Sequence, residues 1–240
     1  MHYFLLENSS VGERPAPRGG TTRPDERKIP FLNEGQALLI QEFGKKYGNY
    51  FSILSAIANG RNTLPEMEAA MGDVSLGGQL KRLEEDYDLV KKKRPIFSKE
   101  GTQAVRYEIS DLFLRFWFRY FIKYQSYIEI QNYERLATII KKDYPTFAGI
   151  TLEMYFRQQM IESQDFAVIG SWWQGKNNRD QDEIDIVGIY AEEKRALVAE
   201  VKRQAKNFKP DLFAQKVDAL RKKVLFNYEI ESRLFSMEDM

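Results

Sequence analysis

Two apolar runs near the C-terminal end of the chain carry charges where a strand should be greasy. Asp185 interrupts "EIDIVGIY", and Glu200 and Lys202 close "ALVAEVK". Burying a charge is costly unless it is paired or binds a metal. Side chains alternate across a strand, so residues two apart share a face. Glu200 and Lys202 therefore project together while Val201 packs on the other side. Asp185 shares a face with Glu183, and Ile184 and Ile186 turn to the opposite layer. The short turn "AEEKR" lets the two strands pair as neighbours, so Asp185, Glu200 and Lys202 can meet on one surface.

Two carboxylates a few ångströms apart repel, and one takes up a proton near neutral pH unless a cation lies between them. Lys202 supplies one positive charge. A magnesium ion would supply two more, held by one or two carboxylates and several waters. Such an ion polarises a phosphoryl oxygen and acidifies a water, and a lysine beside it orients that water or stabilises charge on the phosphate. The chemistry expected is hydrolysis of a phosphodiester. The same spacing also serves a structural ion pair. Two features point beyond that: both acids lie inside apolar runs, and the preceding helix carries an isolated acid, Glu153, in "GITLEMYF".

Composition narrows the alternatives. The chain has no cysteine, which excludes disulfides and thiolate-bound zinc and fits a reducing cytoplasm. Its one histidine is His2, so a histidine-based triad or a His-ligated zinc site lacks its key part. With 43% hydrophobic and 30% charged residues the chain is globular rather than disordered. No apolar run approaches the ~20 residues of a membrane helix, so no membrane partner is expected. The net charge of +1 leaves any case for nucleic acid to local basic patches.

The elements that must position these residues fall into four segments. Residues 1–30, rich in Pro, Gly, Arg and Thr, are expected to be a flexible tail. Residues 31–121 hold a helical lead-in and three short helices followed by a hairpin, the order of a winged helix-turn-helix domain. In it, Thr63 and Glu66 form a capping box, and Ser75 is the expected cap of the next helix. The aromatic stretch "DLFLRFWFRYF" is expected to be buried. Residues 122–145 form a helical connector, with Pro145 marking a boundary. Residues 146–240 read α-β-β-β-α-β, a mixed α/β layer structure whose middle strands form a meander.

Candidate nucleic-acid contacts are Lys91, Lys92, Lys93, Arg94 and Lys99, a basic run on the wing that would lie along phosphates. The presumed recognition helix follows Lys81 and Arg82 with Glu84, Glu85 and Asp86, so specific base reading is poor. The same module equally suits protein contacts. A second basic set, Arg203, Lys206, Lys209, Lys216, Arg221, Lys222 and Lys223, follows the candidate site; part of it would hold a backbone if it lines the same groove, and otherwise it is an ordinary helix surface. Trp172 and Trp173 are expected to pack, beside a polar loop, "QGKNNRDQ", that would rim a cleft.

An acid on a first helix, Asp on a second strand and Glu-x-Lys on a third resemble the PD-(D/E)XK nuclease superfamily. "YGNYFSILSAIANG", "DLFLRFWFRYF", "GSWWQ", "EIDIVGIY", "ALVAEVKR" and the ending "YEIESRLFSMEDM" more specifically resemble the C-terminal half of archaeal and bacterial DEXX-box (AAA-type) ATPases. That resemblance spans about residues 31–240. It implies a winged helix followed by a restriction-endonuclease-like mixed-sheet domain of unknown function. It also implies Glu153 as the helix acid, Asp185 and Glu200 as metal ligands and Lys202 as the catalytic lysine. No G-x-x-x-x-G-K-[ST] is present, and "RGGTT" lacks the lysine of a phosphate loop, so no ATP site is expected. The expected protein is a Mg-dependent deoxyribonuclease, a truncated or split relative of these ATPases. The alternative is a catalytically silent DNA-binding or interaction module serving a separately encoded ATPase subunit.

Overall fold

The computed structural model describes residues 30–44, 47–99, 101, 104–174, 183–191 and 194–240. The tail and the polar loop after Trp173 lie outside them. Four helices open the chain: α1 (Pro30–Phe43), α2 (Tyr47–Ala58), α3 (Leu64–Ala70) and α4 (Gly77–Glu85). A two-stranded antiparallel hairpin follows, β1 (Val90–Lys93) with β2 (Arg106–Ile109), in the register Val90↔Ile109 to Lys93↔Arg106. Helix α2 ends where Gly60 adopts φ +91°, a left-handed turn that L side chains rarely tolerate. Thr63 donates from both its backbone N–H (3.1 Å) and its hydroxyl (2.8 Å) to Glu66, fixing the start of α3 as its sequence predicts. Ser75 does not cap α4. Leu76 occupies that place, buried, and its N–H is taken by the Glu68 carboxylate at 3.0 Å.

These elements share one core, in which Ile53, Leu54, Met67, Leu80 and Leu83 meet Trp117 and Phe118. The two aromatics belong to the segment after the hairpin: α5 (Leu112–Phe116), then a π-helical turn, Trp117–Ile122. The segment is buried in its later part, with Trp117, Phe118 and Tyr120 all at 0% exposure, whereas Leu112 and Phe113 at its start are exposed. Helix α6 (Gln125–Glu129) leads into α7 (Tyr133–Ser163), a helix of 31 residues.

Pro145 does not end a helix; α7 runs through it. An interior proline removes the bond to the carbonyl four residues back. Here that residue, Lys141, and Pro145 itself are exposed, so solvent can serve the freed carbonyl. Tertiary contacts grip the helix on both sides. Asp143 accepts from Arg119 (2.5 and 2.9 Å) and from the Tyr120 hydroxyl (2.8 Å), while Phe147 packs on Phe116 and Tyr120. Burial and the Asp143 carboxylate push the Tyr120 phenol up to about 12.

The remaining chain forms a mixed four-stranded sheet of order β3-β4-β5-β6: β3 (Phe166–Trp173), β4 (Glu183–Tyr190), β5 (Arg195–Val201) and β6 (Glu229–Phe235). The first three strands are an antiparallel meander. Strand β6 returns parallel to β5 after α8 (Pro210–Lys223). Helix α7 packs one core against the sheet through Leu152, Phe156 and Met160, and α8 packs the other through Phe213, Val217 and Leu220. Gly188 is needed where α7 comes close, since a Cβ there would stand 2.5 Å from Met160 and 2.7 Å from Phe166. Among the described residues no helix is long and apolar enough to cross a membrane.

The N-terminal module is joined to this sheet by backbone. After β1, Pro95 bridges Ser171 on β3, and Ile96 N–H donates to the Ser171 carbonyl at 2.8 Å. Ile96 then enters the core on the α8 side. Arg106 of β2 pairs with Glu183 at 2.7 Å and lies over the Trp173 ring at 4.5 Å.

Candidate active site

Strands β4 and β5 pair from Ile189↔Ala196 to Ile186↔Ala199 and then separate, while β5 stays paired with β6 through Val201↔Phe235. At the point of separation the Asp185 carboxylate takes over the role of a ladder acceptor. Its Oδ2 receives the Val201 N–H at 2.7 Å. Glu200 and Lys202 flank that N–H along β5. The Lys202 ammonium lies 2.7 Å from Glu200 and 3.9 Å from Asp185. Asp185, Glu200 and Lys202 are therefore brought together at a fork in the sheet.

The strand pattern that led to this grouping needs one correction. Gly170 pairs with Val187 and Trp172 with Ile184, so Asp185 and Ile186 both stand opposite Ser171. This is a β-bulge, and it reverses the alternation. Ile184 and Val187 enter the α8-side core, whereas Ile186 enters the α7-side core. Ile184 and Ile186 therefore do not share a layer. Arg157 of α7 closes the bulge: its Nη2 donates to the Asp185 carbonyl and to the Ser171 hydroxyl, both at 2.6 Å. It also contacts Glu153, one turn earlier, at 3.3 Å.

Glu153 faces the fork from α7. Burial, with Asp185 close by, pushes its pKa up to about 8. Burial and Glu200 push Asp185 up to about 6. For Lys202, burial works against the ammonium, but Glu200 and Asp185 outweigh it and hold its pKa above the ordinary lysine value.

Two further residues belong to the site. Lys216, which the sequence places among surface lysines, is only 7% exposed, and its Nζ lies 3.2 and 3.3 Å from the two Glu200 oxygens. Phe213, Val217 and Leu220 are the buried positions of α8, and Lys216 falls on the same stripe. That helical spacing was the available signal. Arg157 carried no such mark, because the bulge it clamps is set by tertiary pairing.

The donor set suits a hard divalent ion. Asp185 and Glu200 offer carboxylate oxygens, and the Lys202 ammonium already stands between them as a cation. Among the described residues no group of three or more acidic or histidine side chains is arranged to hold a metal. The protein would supply two carboxylates and water the remainder, the usual pattern for magnesium.

The basic run divides. Lys91, Lys92, Arg94 and Lys99 are exposed. Lys93 is turned inward to pair with Glu108. Burial and the nearby Arg157 hold its pKa below the usual lysine value. Of the second basic set, Lys222 pairs with Asp218 and Lys223 with Gln174. Both tryptophans are buried.

Comparison with known proteins adds two likenesses. Residues 117–212 match the model of a family, DUF234, described as archaeal and bacterial proteins of unknown function. That stretch contains Glu153, Asp185, Glu200 and Lys202 but stops short of Lys216. The chain is also similar to an uncharacterized protein of Methanocaldococcus jannaschii, with 32% identity over 162 residues, 64% of this chain. It spans about a third of that relative's length, 35%. No solved structure matches.

Proposed function

We propose that this chain is a metal-dependent phosphodiesterase acting on DNA. In this reading α2–α4 and the β1–β2 hairpin form a winged-helix module, and residues 146–240 form a PD-(D/E)XK nuclease-like domain. The observation that carries it is the meeting of Asp185, Glu200 and Lys202 where β4 parts from β5. Asp185 and Glu200 would hold a magnesium or manganese ion, which when bound polarises the phosphoryl group and acidifies a water. Lys202 orients the attacking water and steadies charge on the phosphate. Asp185 is held in register by the Val201 N–H, and Arg157 fixes the bulge that aims it. Glu153 keeps its proton at neutral pH and gives it up when a cation settles nearby, so ion uptake should release protons. The exposed Lys91, Lys92, Arg94 and Lys99 would lie along the DNA backbone.

A second reading has its own support. Both oxygens of Glu200 are engaged by Lys216, and Lys202 takes one of them as well. A carboxylate so occupied suits a silent DNA-binding or interaction module, which would serve an ATPase subunit encoded separately.

Cleavage of plasmid and of single-stranded DNA with magnesium or manganese separates the two. The parent should cut, and Lys202→Ala and Asp185→Asn should not. A parent that binds DNA with a salt-sensitive affinity yet never cuts would remove the hydrolase reading and leave the second.

A further inference from the structure

Away from the fork, two concavities open side by side between the N-terminal helices and α7. One, of about 710 Å³, is lined by Phe51, Ser55, Arg61 and Met71 among others. The other, of about 510 Å³, is lined by Tyr124, Arg135, Thr138 and Lys142. Asn59 and Lys123 line both, so the two adjoin as neighbouring parts of one basin-shaped face.

Its charge is one-sided. Asp143 is the one acidic residue among those lining either part, and it is held by Arg119 and the Tyr120 hydroxyl. Arg61, Lys123, Arg135 and Lys142 are exposed and face no other lining carboxylate. Cations crowded in a concave wall repel one another, and the low-dielectric surroundings concentrate their field. A polyanion relieves that repulsion.

The spacing indicates which polyanion. Arg135 and Lys142 lie about 10 Å apart along α7, and with Arg61 and Lys123 they line an extended row of cations. Successive phosphates of a nucleic-acid strand can follow such a row, as they do in charged grooves that track a backbone. The half-buried Tyr124 lines the same part as Arg135 and Lys142, with the Lys123 ammonium 5.5 Å from its ring centroid. Direction adds a third consideration. Arg135, Lys142 and Glu153 sit on one unbroken helix, with Arg135 about five turns and Lys142 about three turns before Glu153. All three thus fall on nearly the same stripe of α7, and the basin lies at the start of a track leading to the fork.

We infer that this basin is a binding site for the sugar-phosphate backbone of nucleic acid, separate from the hairpin's basic run. The site stands on its own charge and does not require hydrolysis at Asp185.

The test is fluorescence anisotropy with a labelled single strand of about 20 nucleotides and its duplex, in metal-free buffer with EDTA. The full chain is compared with three variants. One carries Arg61→Ala, Lys123→Ala, Arg135→Ala and Lys142→Ala together. A second carries Lys91→Ala and Lys92→Ala, and a third carries Arg135→Glu alone. At about 0.1 M salt the fourfold variant should lose roughly 100- to 1,000-fold in affinity, and its salt slope should fall by roughly 3. The hairpin variant should also lose affinity, but by less than the fourfold variant, since it removes two of the contacts proposed for the other basic run. The Arg135→Glu chain, altered at one exposed position, guards against misfolding and should lose part of the affinity. EDTA excludes metal-dependent cutting, so failure here is distinguishable from failure of the hydrolase reading. Undiminished binding by the fourfold variant, no binding by the parent, or displacement of DNA by polyglutamate at equal charge would each overturn the proposal.

Discussion

The Lys216–Glu200 pair gives the most direct measure of how this site is built. Both side chains are 7% exposed, and the ammonium lies 3.2 and 3.3 Å from the carboxylate oxygens. Lys216→Met keeps the length and helix propensity of the side chain but removes the charge. Stripping one partner from a buried pair costs about 3–5 kcal/mol, because the other charge stays behind in the interior. Here Glu200 keeps Lys202 at 2.7 Å, and Lys202 is half-exposed, so part of the charge remains compensated. The expected loss is therefore about 2–3 kcal/mol. With a urea m-value of about 3 kcal/mol/M, the midpoint falls by about 0.7–1 M. Glu200→Gln alone leaves Lys216 buried and unpaired and should cost a similar amount. Combining the two changes removes both charges, so the double variant should recover at least half of the summed loss. Urea unfolding followed by circular dichroism closes the double-mutant cycle. A Lys216→Met chain within about 0.5 kcal/mol of the parent, or costs that simply add, would refute the claim that the pair is buried and coupled.

Three other consequences are open to measurement. In metal-free buffer Glu153 and Asp185 ionise at about 8 and about 6, above their ordinary values of 4.5 and 3.8. Stability tied to their protonated forms is full below those ordinary values and is lost as pH rises through about 6 and about 8. The Tm of Glu153→Gln should therefore gain on the parent between pH 4.5 and 8; a difference flat with pH would contradict the assignment. Gly188→Val drives a side chain into Met160 and Phe166 and should cost about 1–3 kcal/mol or more in chemical denaturation. Pro145→Ala should stabilise by up to about 3 kcal/mol, since α7 is helical on both sides; a neutral or adverse effect would show that proline suits the local backbone.

What could be read from the sequence was local. Thr63 and Glu66 are three residues apart, so their capping box was visible before any fold was known. The aromatic stretch was too apolar to lie wholly in water, and Leu114, Trp117, Phe118 and Tyr120 are buried, while Leu112 and Phe113 at its start are exposed. The order of helices and strands, and the meeting of Asp185, Glu200 and Lys202, followed from alternation and short turns. The errors lie where tertiary contacts override a local rule. Pro145 signals a helix end, but Asp143 and Phe147 are each held by the aromatic segment, and helix on both sides of the proline is retained. Alternation puts Ile184 and Ile186 in one layer, but the extra residue opposite Ser171 divides them.

That bulge also explains why the site sits where it does. A regular β4 would keep its ladder with β5 beyond Ile186, and the Val201 N–H would find a backbone carbonyl. The extra residue turns Asp185 so that its carboxylate takes that N–H instead, which ends the ladder and opens the fork. The cost of an interrupted sheet is met from α7, where one guanidinium serves both the freed Asp185 carbonyl and Ser171. Ser171 is in turn the residue through which Pro95 and Ile96 attach the N-terminal module. The same short stretch of β3 thus supports the hairpin on one side and the aspartate on the other. A change in how the hairpin is seated should therefore reach Asp185 through Ser171, by way of the Ile96 backbone contact, and through the Arg106–Glu183 pair two residues from Asp185.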